Sequence, residues 1–307
     1  MRNRTLTPSI VNDLLDRKSA GISAYSAIDD AAAELLAKDK RAEQFELCLS
    51  GLQSLTATSA RWLASWGRPA NRLHLDGLKG LPKEVARELA QVRAYYLDLS
   101  GLVEVTSEAA KELAARHPDL CREYDNEGYY LGWPTLILKG LQLLSPAAAA
   151  ALAAYPGMLD LGGLRELPAP VATALAGHAG QLRLDGVTSL SAQSATELAK
   201  RREKVELGGI KSLEKEAIAA LAGGHPNLLI ELKKLEVLSD ESAEVIAHSK
   251  VTFIFSVDIK IYPSAALRLA RCENWGHYIG IRAVALAKRK AGDGKSASRS
   301  TPRVRRK

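Results

Sequence analysis

The chain has 307 residues, of which 47% are hydrophobic, 25% charged and only 5% aromatic, which is the balance of an ordinary folded protein rather than of a fibrous or disordered one. No window reaches the roughly 18 uninterrupted apolar residues that a membrane span requires, and the basic start Met1-Arg2-Asn3-Arg4 leads into no apolar signal core, so the expected location is cytoplasmic. The net charge of +7 is unevenly placed: Lys288 to Lys307 holds nine cations and one acid, Asp293, for +8, which leaves the remainder of the chain at −1.

In chain order, residues 1–19 read as a cap, with Ile10, Val11, Leu14 and Leu15 forming the apolar side of a short amphipathic helix over Thr7–Lys18. Residues 20–287 read as a repeat array. A degenerate unit runs through Ile22, Ala24, Ile28, Ala33, Leu36 and Ala37, and eight regular units follow. These open at Leu47, Leu73, Leu97, Leu136, Leu159, Leu182, Val205 and Ile230, and each closes on an alanine 17 residues later, from Ala64 to Ala247. A glycine stands four residues after the opening residue in every unit but the last, where Lys234 replaces it. A second degenerate unit runs through Phe253, Phe255, Val257, Ile261, Ala266, Leu269 and Ala270. Atypical end units suit an array whose core must be sealed from water.

The frame predicts its own local structure. Leu-x-Leu alternation turns both leucines to one side of a short strand. The glycine allows either a positive backbone angle or close approach of a neighbouring unit. Thr56, Thr106, Ser145, Ser191 and Ser239 stand where a hydroxyl can cap a helix, and Pro146 and Pro263 suit a first helical turn. Apolar residues three and four apart, such as Ala195, Leu198 and Ala199, then mark one buried helical stripe. Links between units are short except for an insertion at 115–135. The predicted fold is α/β: a solenoid of about ten strand–turn–helix units, with a parallel sheet on the concave face and helices outside. Residues 288–307, rich in Lys, Arg, Ser and Gly, are expected to be a disordered basic tail.

The Gly-Leu-x-x-Leu and Ala-x-x-Leu-Ala signatures, at a spacing of about 23 residues in most units, resemble the leucine-rich repeat family, in a compact bacterial-type variant, over about residues 20–270. The resemblance implies protein recognition on the concave sheet and no particular catalysis. That family usually carries an Asn or Cys ladder beside the strand. Here the place holds Leu52, Leu78, Leu102 and Val187, so the turn must satisfy its backbone groups by other means.

Residues between the leucines are expected on the concave face. One row reads Cys48, His74, Asp98, Ile137, Asp160, Arg183, Glu206, Glu231, and a second includes Asp76, Lys139, Asp185 and Lys233. The residues just before each strand include Arg72, Tyr96 and Lys204. The face is polar, mixed in sign and varied from unit to unit, as a specific binding surface would be. The insertion concentrates Tyr129, Tyr130 and Trp133 in a chain poor in aromatics, and such residues are enriched at interface hot spots. The expected partner surface is therefore Arg72, His74, Asp76, Tyr96, Asp98, Tyr129, Tyr130, Trp133, Asp160 and Arg183, for an unidentified protein. An alternative partner is nucleic acid or an anionic surface, bound without sequence preference by the tail cations Lys288, Arg289, Lys290, Arg303, Arg305, Arg306 and Lys307.

Neither a catalytic centre nor a cofactor is expected. Cys48, His74 and Asp98 would bring thiol, imidazole and carboxylate onto neighbouring strands, but no strained turn or oxyanion donors accompany them. A metal site at His74, Asp76 and Asp98 has equally little behind it. Three distant cysteines, Cys48, Cys121 and Cys272, give no disulfide framework. His117, His178, His225 and His248 follow the closing alanines, where an imidazolium would favour a helix C-terminus.

Overall fold

The computed structural model describes residues 4–16, 21–40, 47–66, 72–116, 134–256, 259–261, 264 and 269. It opens with β1 (Thr5–Leu6), α1 (Pro8–Asp16), a 3₁₀ turn at Gly21–Ala24, β2 (Ala27–Ile28) and α2 (Asp30–Lys38). The regular units then alternate strand and helix: β3 (Leu47–Cys48) and α3 (Ala57–Ser65), β4 (Arg72–His74) and α4 (Lys83–Leu89), β5 (Tyr96–Asp98) and α5 (Ser107–Ala114), β6 (Thr135–Ile137) and α6 (Pro146–Leu152). They continue as β7 (Met158–Asp160) and α7 (Ala169–Ala176), β8 (Leu182–Arg183) and α8 (Ala192–Leu198), β9 (Val205–Glu206) and α9 (Lys215–Ala222). The last described stretch is β10 (Leu229–Leu232), β11 (Val237–Leu238), α10 (Asp240–Ala247), β12 (Thr252–Phe255) and β13 (Lys260–Ile261).

Strands β3 to β10, followed by β12, form one nine-stranded parallel sheet in chain order. The register follows the repeat. Leu47 pairs with Leu73, Leu73 with Leu97, Leu97 with Leu136 and Leu136 with Leu159. The series runs on through Leu182, Val205 and Ile230 to Phe253. All of these residues are buried, and with the helical alanines and leucines they make one continuous apolar core. The chain is thus an α/β repeat solenoid. The predicted N-terminal helix is α1. The first degenerate unit differs from expectation, since its Ile22–Ala24 segment is a 3₁₀ turn; β1 pairs instead with β2 and covers that end.

The glycine column resolves in favour of close approach. None of its seven members has a positive φ, yet a Cβ on Gly101 would run into the backbone oxygens of Asp76 and Leu78 in the preceding unit. Gly51, Gly77, Gly140, Gly163, Gly186 and Gly209 meet the same kind of obstacle. The turn beside each glycine satisfies its own backbone: the amides of Leu52, Leu78, Leu102 and Val187 donate to Leu49, Leu75, Leu99 and Leu184 at 3.0–3.1 Å. This tight turn takes over the task of an Asn ladder. All five hydroxyl caps form, from Thr56 to the Ser59 amide through Ser239 to the Ser242 amide, and Asp29 caps α2 in the same way.

A second column lies two residues beyond the closing alanine. It reads Trp66, Val92, Arg116, Tyr155, His178, Arg201, Gly224 and Ser249, all buried except Gly224. Several of its polar members reach back to carbonyls at or just beyond the helix end of the preceding unit. Arg201 donates to Leu175 and His178 oxygens at 2.7 Å and to Gly180 O at 2.6 Å. Arg116 donates to Val92 O, Ala94 O and the Tyr155 hydroxyl. Ser249 donates to Ala222 O at 2.7 Å. His178 places Nδ1 3.2 Å from Ala153 O and Nε2 3.3 Å from Gln181 O.

The expectation of a charged histidine at a helix end therefore fails at His178. Burial, reinforced by the nearby Arg201 guanidinium, pushes its pKa down to about 4, so the ring is neutral near pH 7. Burial likewise lowers the Arg201 pKa to about 10. His248 is exposed, and its Nδ1 lies 2.8 Å from Glu244 O. His117 falls outside the described residues. Among the described residues, no helix is long and apolar enough to cross a membrane.

Candidate binding face of the sheet

Strand alternation sends the leucines into the core and the residues between them to the opposite, open face. The pairing that aligns the leucines also aligns those residues: Cys48 with His74, His74 with Asp98, Asp98 with Ile137, Ile137 with Asp160, Asp160 with Arg183, and Arg183 with Glu206. Glu206 then stands beside Glu231.

On the later strands these side chains neutralise one another. Arg183 lies between two acids, with Nη1 3.1 Å from Asp160 Oδ2 and Nε 2.7 Å from Glu206 Oε2. Lys139 Nζ is 3.4 Å from the same Asp160 oxygen. Lys204 joins Glu206 at 2.8 Å to Glu231 at 2.5 Å, and Lys233 reaches Glu231 at 2.6 Å. Burial alone would raise the Glu206 carboxyl, but hydrogen bonds from Arg183 and Lys204 outweigh it and hold the group below its ordinary value. Glu231 is lowered by the same balance, with Lys204 and Lys233 overcoming burial. Burial opposes the charge on Arg183 and on Lys204 too, and their acid partners prevail in both, raising their pKa values. Asp160 and Arg183 thus come together as expected, but inside an intramolecular network in which the Asp160 side chain is only 1% exposed.

The earlier strands differ. The Arg72 guanidinium stacks 4.6 Å above the Tyr96 ring, so these two predicted residues meet. His74 Nδ1 faces Asp98 Oδ2 at 3.4 Å. The other Asp98 oxygen accepts from the Ser100 amide at 2.9 Å and from the Ser100 hydroxyl at 2.5 Å. Two buried atoms on this part of the face, His74 Nε2 and Asp76 Oδ1, make no hydrogen bond among the described residues. Farther along, Glu231 Oε2 also makes none by strict geometry, but it has the Lys204 ammonium beside it.

The state of Asp76 has an identifiable cause. Asp185 occupies the same place in its own unit and accepts from the amide of Gly208, its neighbour in the next unit, at 2.8 Å. The corresponding amide for Asp76 is that of Ser100. Asp98 has already taken it. Asp98 succeeds because it is two residues from that amide in its own chain, the short reach of an Asx turn, which Asp160 repeats with the Gly162 amide at 3.0 Å.

The structure therefore gathers Arg72, His74, Tyr96 and Asp98 on adjacent strands, with Asp76 in the turn that follows β4, and ties Asp160 and Arg183 into the later ladder. Tyr129, Tyr130 and Trp133 lie outside the described residues, as do all the tail cations from Lys288 to Lys307. The sequence reading noted the charged rows but missed that they pair in register; the available signal was the alternation of sign from one unit to the next. It also missed the exposed apolar residues Val103 and Leu143, which follow the glycines of two successive units. Cys48, His74 and Asp98 are indeed neighbours, and Cys48 is half-buried. Among the described residues, no group of three His, Cys, Asp or Glu side chains is placed to hold a metal ion. In comparisons with known proteins, no family model and no curated protein matches the chain.

Proposed function

We propose that this chain is a non-enzymatic, leucine-rich-repeat-like binding module that recognises a protein partner through the open sheet face of its early strands, β4 and β5 above all. One observation carries the reading. The later face is closed by its own ion pairs, whereas the early face keeps two buried polar atoms, His74 Nε2 and Asp76 Oδ1, with no hydrogen-bond partner among the described residues. A buried polar atom without a partner costs roughly 1–3 kcal/mol, and a partner that supplies the missing donors recovers that cost on binding. Arg72 and Tyr96, stacked beside them, add the residue types that dominate interface energetics.

The test is in-extract cross-linking followed by mass spectrometry, with three forms of the full chain. The wild type and a late-face variant, Asp185→Ala with Lys233→Ala, should capture the same protein. An early-face variant, Arg72→Ala with His74→Ala and Asp76→Ala, should lose it. If the early-face variant captures that protein as well as the wild type does, the proposal is wrong.

A further inference from the structure

We infer that two copies of this chain associate edge to edge about a two-fold axis, each seating its Leu143 in a groove of the other beside Gly80. The surface concerned is the edge where each strand turns into its helix, not the sheet face. Six and seven residues after the opening residue, this edge is polar in most units, as at Gln53 and Ser54 or Arg165 and Glu166. Two consecutive units, those of β5 and β6, break the pattern with Val103 and Leu143, which are 62% and 74% exposed. Apolar side chains left so bare gain by leaving water. Val237, the remaining large apolar residue exposed among the described residues, stands on the same edge but within β11, which is paired with β13.

The same edge carries a receptor. Leu55, Leu78, Leu81 and Val85 line a groove of about 410 Å³ between the units of β3 and β4, with Gly80 in its wall. Gly80 stands outside the glycine column and has no structural need to be glycine: its φ is not positive, and a Cβ there would meet nothing within 4 Å. What the missing side chain leaves open is the groove. No charged residue lines it, so it suits an aliphatic side chain. Position identifies the occupant as a second copy. Strands β4, β5 and β6 are adjacent, and neighbouring strands lie about 4.8 Å apart, so Leu143 stands two units, roughly 10 Å, beyond Gly80. A two-fold axis through the unit between them exchanges the two places. Leu143 of each copy then comes over Gly80 of the other, and the two Val103 side chains meet near the axis. Lys79 of one copy and Glu104 of the other come within one unit of each other, which brings opposite charges to the rim. One surface is thus complementary to itself, the condition for a closed dimer. Two knobs and two grooves make a small contact, so the dimer is a weak one.

The experiment is sedimentation velocity on the full chain, from about 10 μM to about 1 mM, the range of weak specific association. The wild type should pass from monomer to dimer and stop there. Leu143→Glu and Gly80→Lys should each weaken the dimer by about tenfold or more. Both positions are exposed, and circular dichroism should show both variants folded as the wild type is. Mixed in equal amounts, the two variants should recover a dimer, because one Leu143–Gly80 contact stays intact and the introduced carboxylate and ammonium pair in the other. Ser189→Glu, at the corresponding exposed place of a later unit, should leave association unchanged. The inference is overturned if the wild type stays monomeric throughout or grows past the dimer, as a head-to-tail contact would. It is equally overturned if a folded Leu143→Glu or Gly80→Lys variant dimerises as well as the wild type, or if their mixture stays monomeric.

Discussion

Two stretches of one sheet, built on one frame, treat their polar residues in opposite ways. From β7 to β10 the open face is a ladder of alternating charge in which Asp160, Arg183, Glu206, Lys204 and Glu231 each contact the next. At β4 and β5 the same rows hold a histidine, two aspartates and a serine, and two buried polar atoms have no partner among the described residues. The core beneath is the same in both places, since Leu73, Leu97, Leu159 and Leu182 are all essentially inaccessible. The frame therefore settles the fold and leaves the open face free to be spent either on stability or on recognition.

That contrast can be broken most sharply at Arg183. Arg183→Met should cost about 3 kcal/mol in urea unfolding, because it leaves Asp160 buried and Glu206 short of one partner; a loss under about 0.5 kcal/mol, the level of an ordinary surface pair, would show that the ladder is not structural.

Acid should act next, and on the later half. His178 has a folded pKa of about 4 against an ordinary 6.5, so below about pH 6.5 the unfolded chain binds a proton that the folded chain refuses. Stability attributable to this ring is present at neutral pH and falls as pH drops toward 4, by about 2 kcal/mol between pH 7 and pH 5. Glu206 and Glu231, with lowered carboxyl pKa values, add a loss of the same sign at still lower pH. Denaturant unfolding of wild type and His178→Gln at both pH values isolates the histidine: the variant should lack its share of the slope.

The smallest effect belongs to the early face. Asp76→Asn should change stability by less than about 1 kcal/mol, in the stabilising direction, since it removes a charge and breaks no internal hydrogen bond. A marked loss in the same unfolding assay would mean that Asp76 is a structural residue after all.

Much of this is legible in the sequence alone. The constant step from opening leucine to closing alanine reports the sheet register directly, because each unit must place its leucines over those of the last; the pairing of Leu73 with Leu97 and of Leu136 with Leu159 follows. The capping hydroxyls were legible because a helix start demands an acceptor at a fixed place. The column of Trp66, Val92, Arg116, Tyr155, His178 and Arg201 was not, because its members share burial and not chemistry. A reading by residue type passes over it and sees in His178 a surface group. The rows of the open face were visible as rows. Which carboxylate takes the Ser100 amide was not, since that is decided by the shorter chain path from Asp98.

The glycine column carries a consequence for how such a chain could grow. Where Gly101 or Gly163 passes the preceding turn, main chain rests on main chain, with no side chain between. A joint made only of peptide groups is the same joint whichever two units meet there. Whole units could be duplicated or deleted between such joints with the seam preserved, and the glycine column ends at Lys234, where a side chain replaces the hydrogen, one strand before the sheet itself ends at β12.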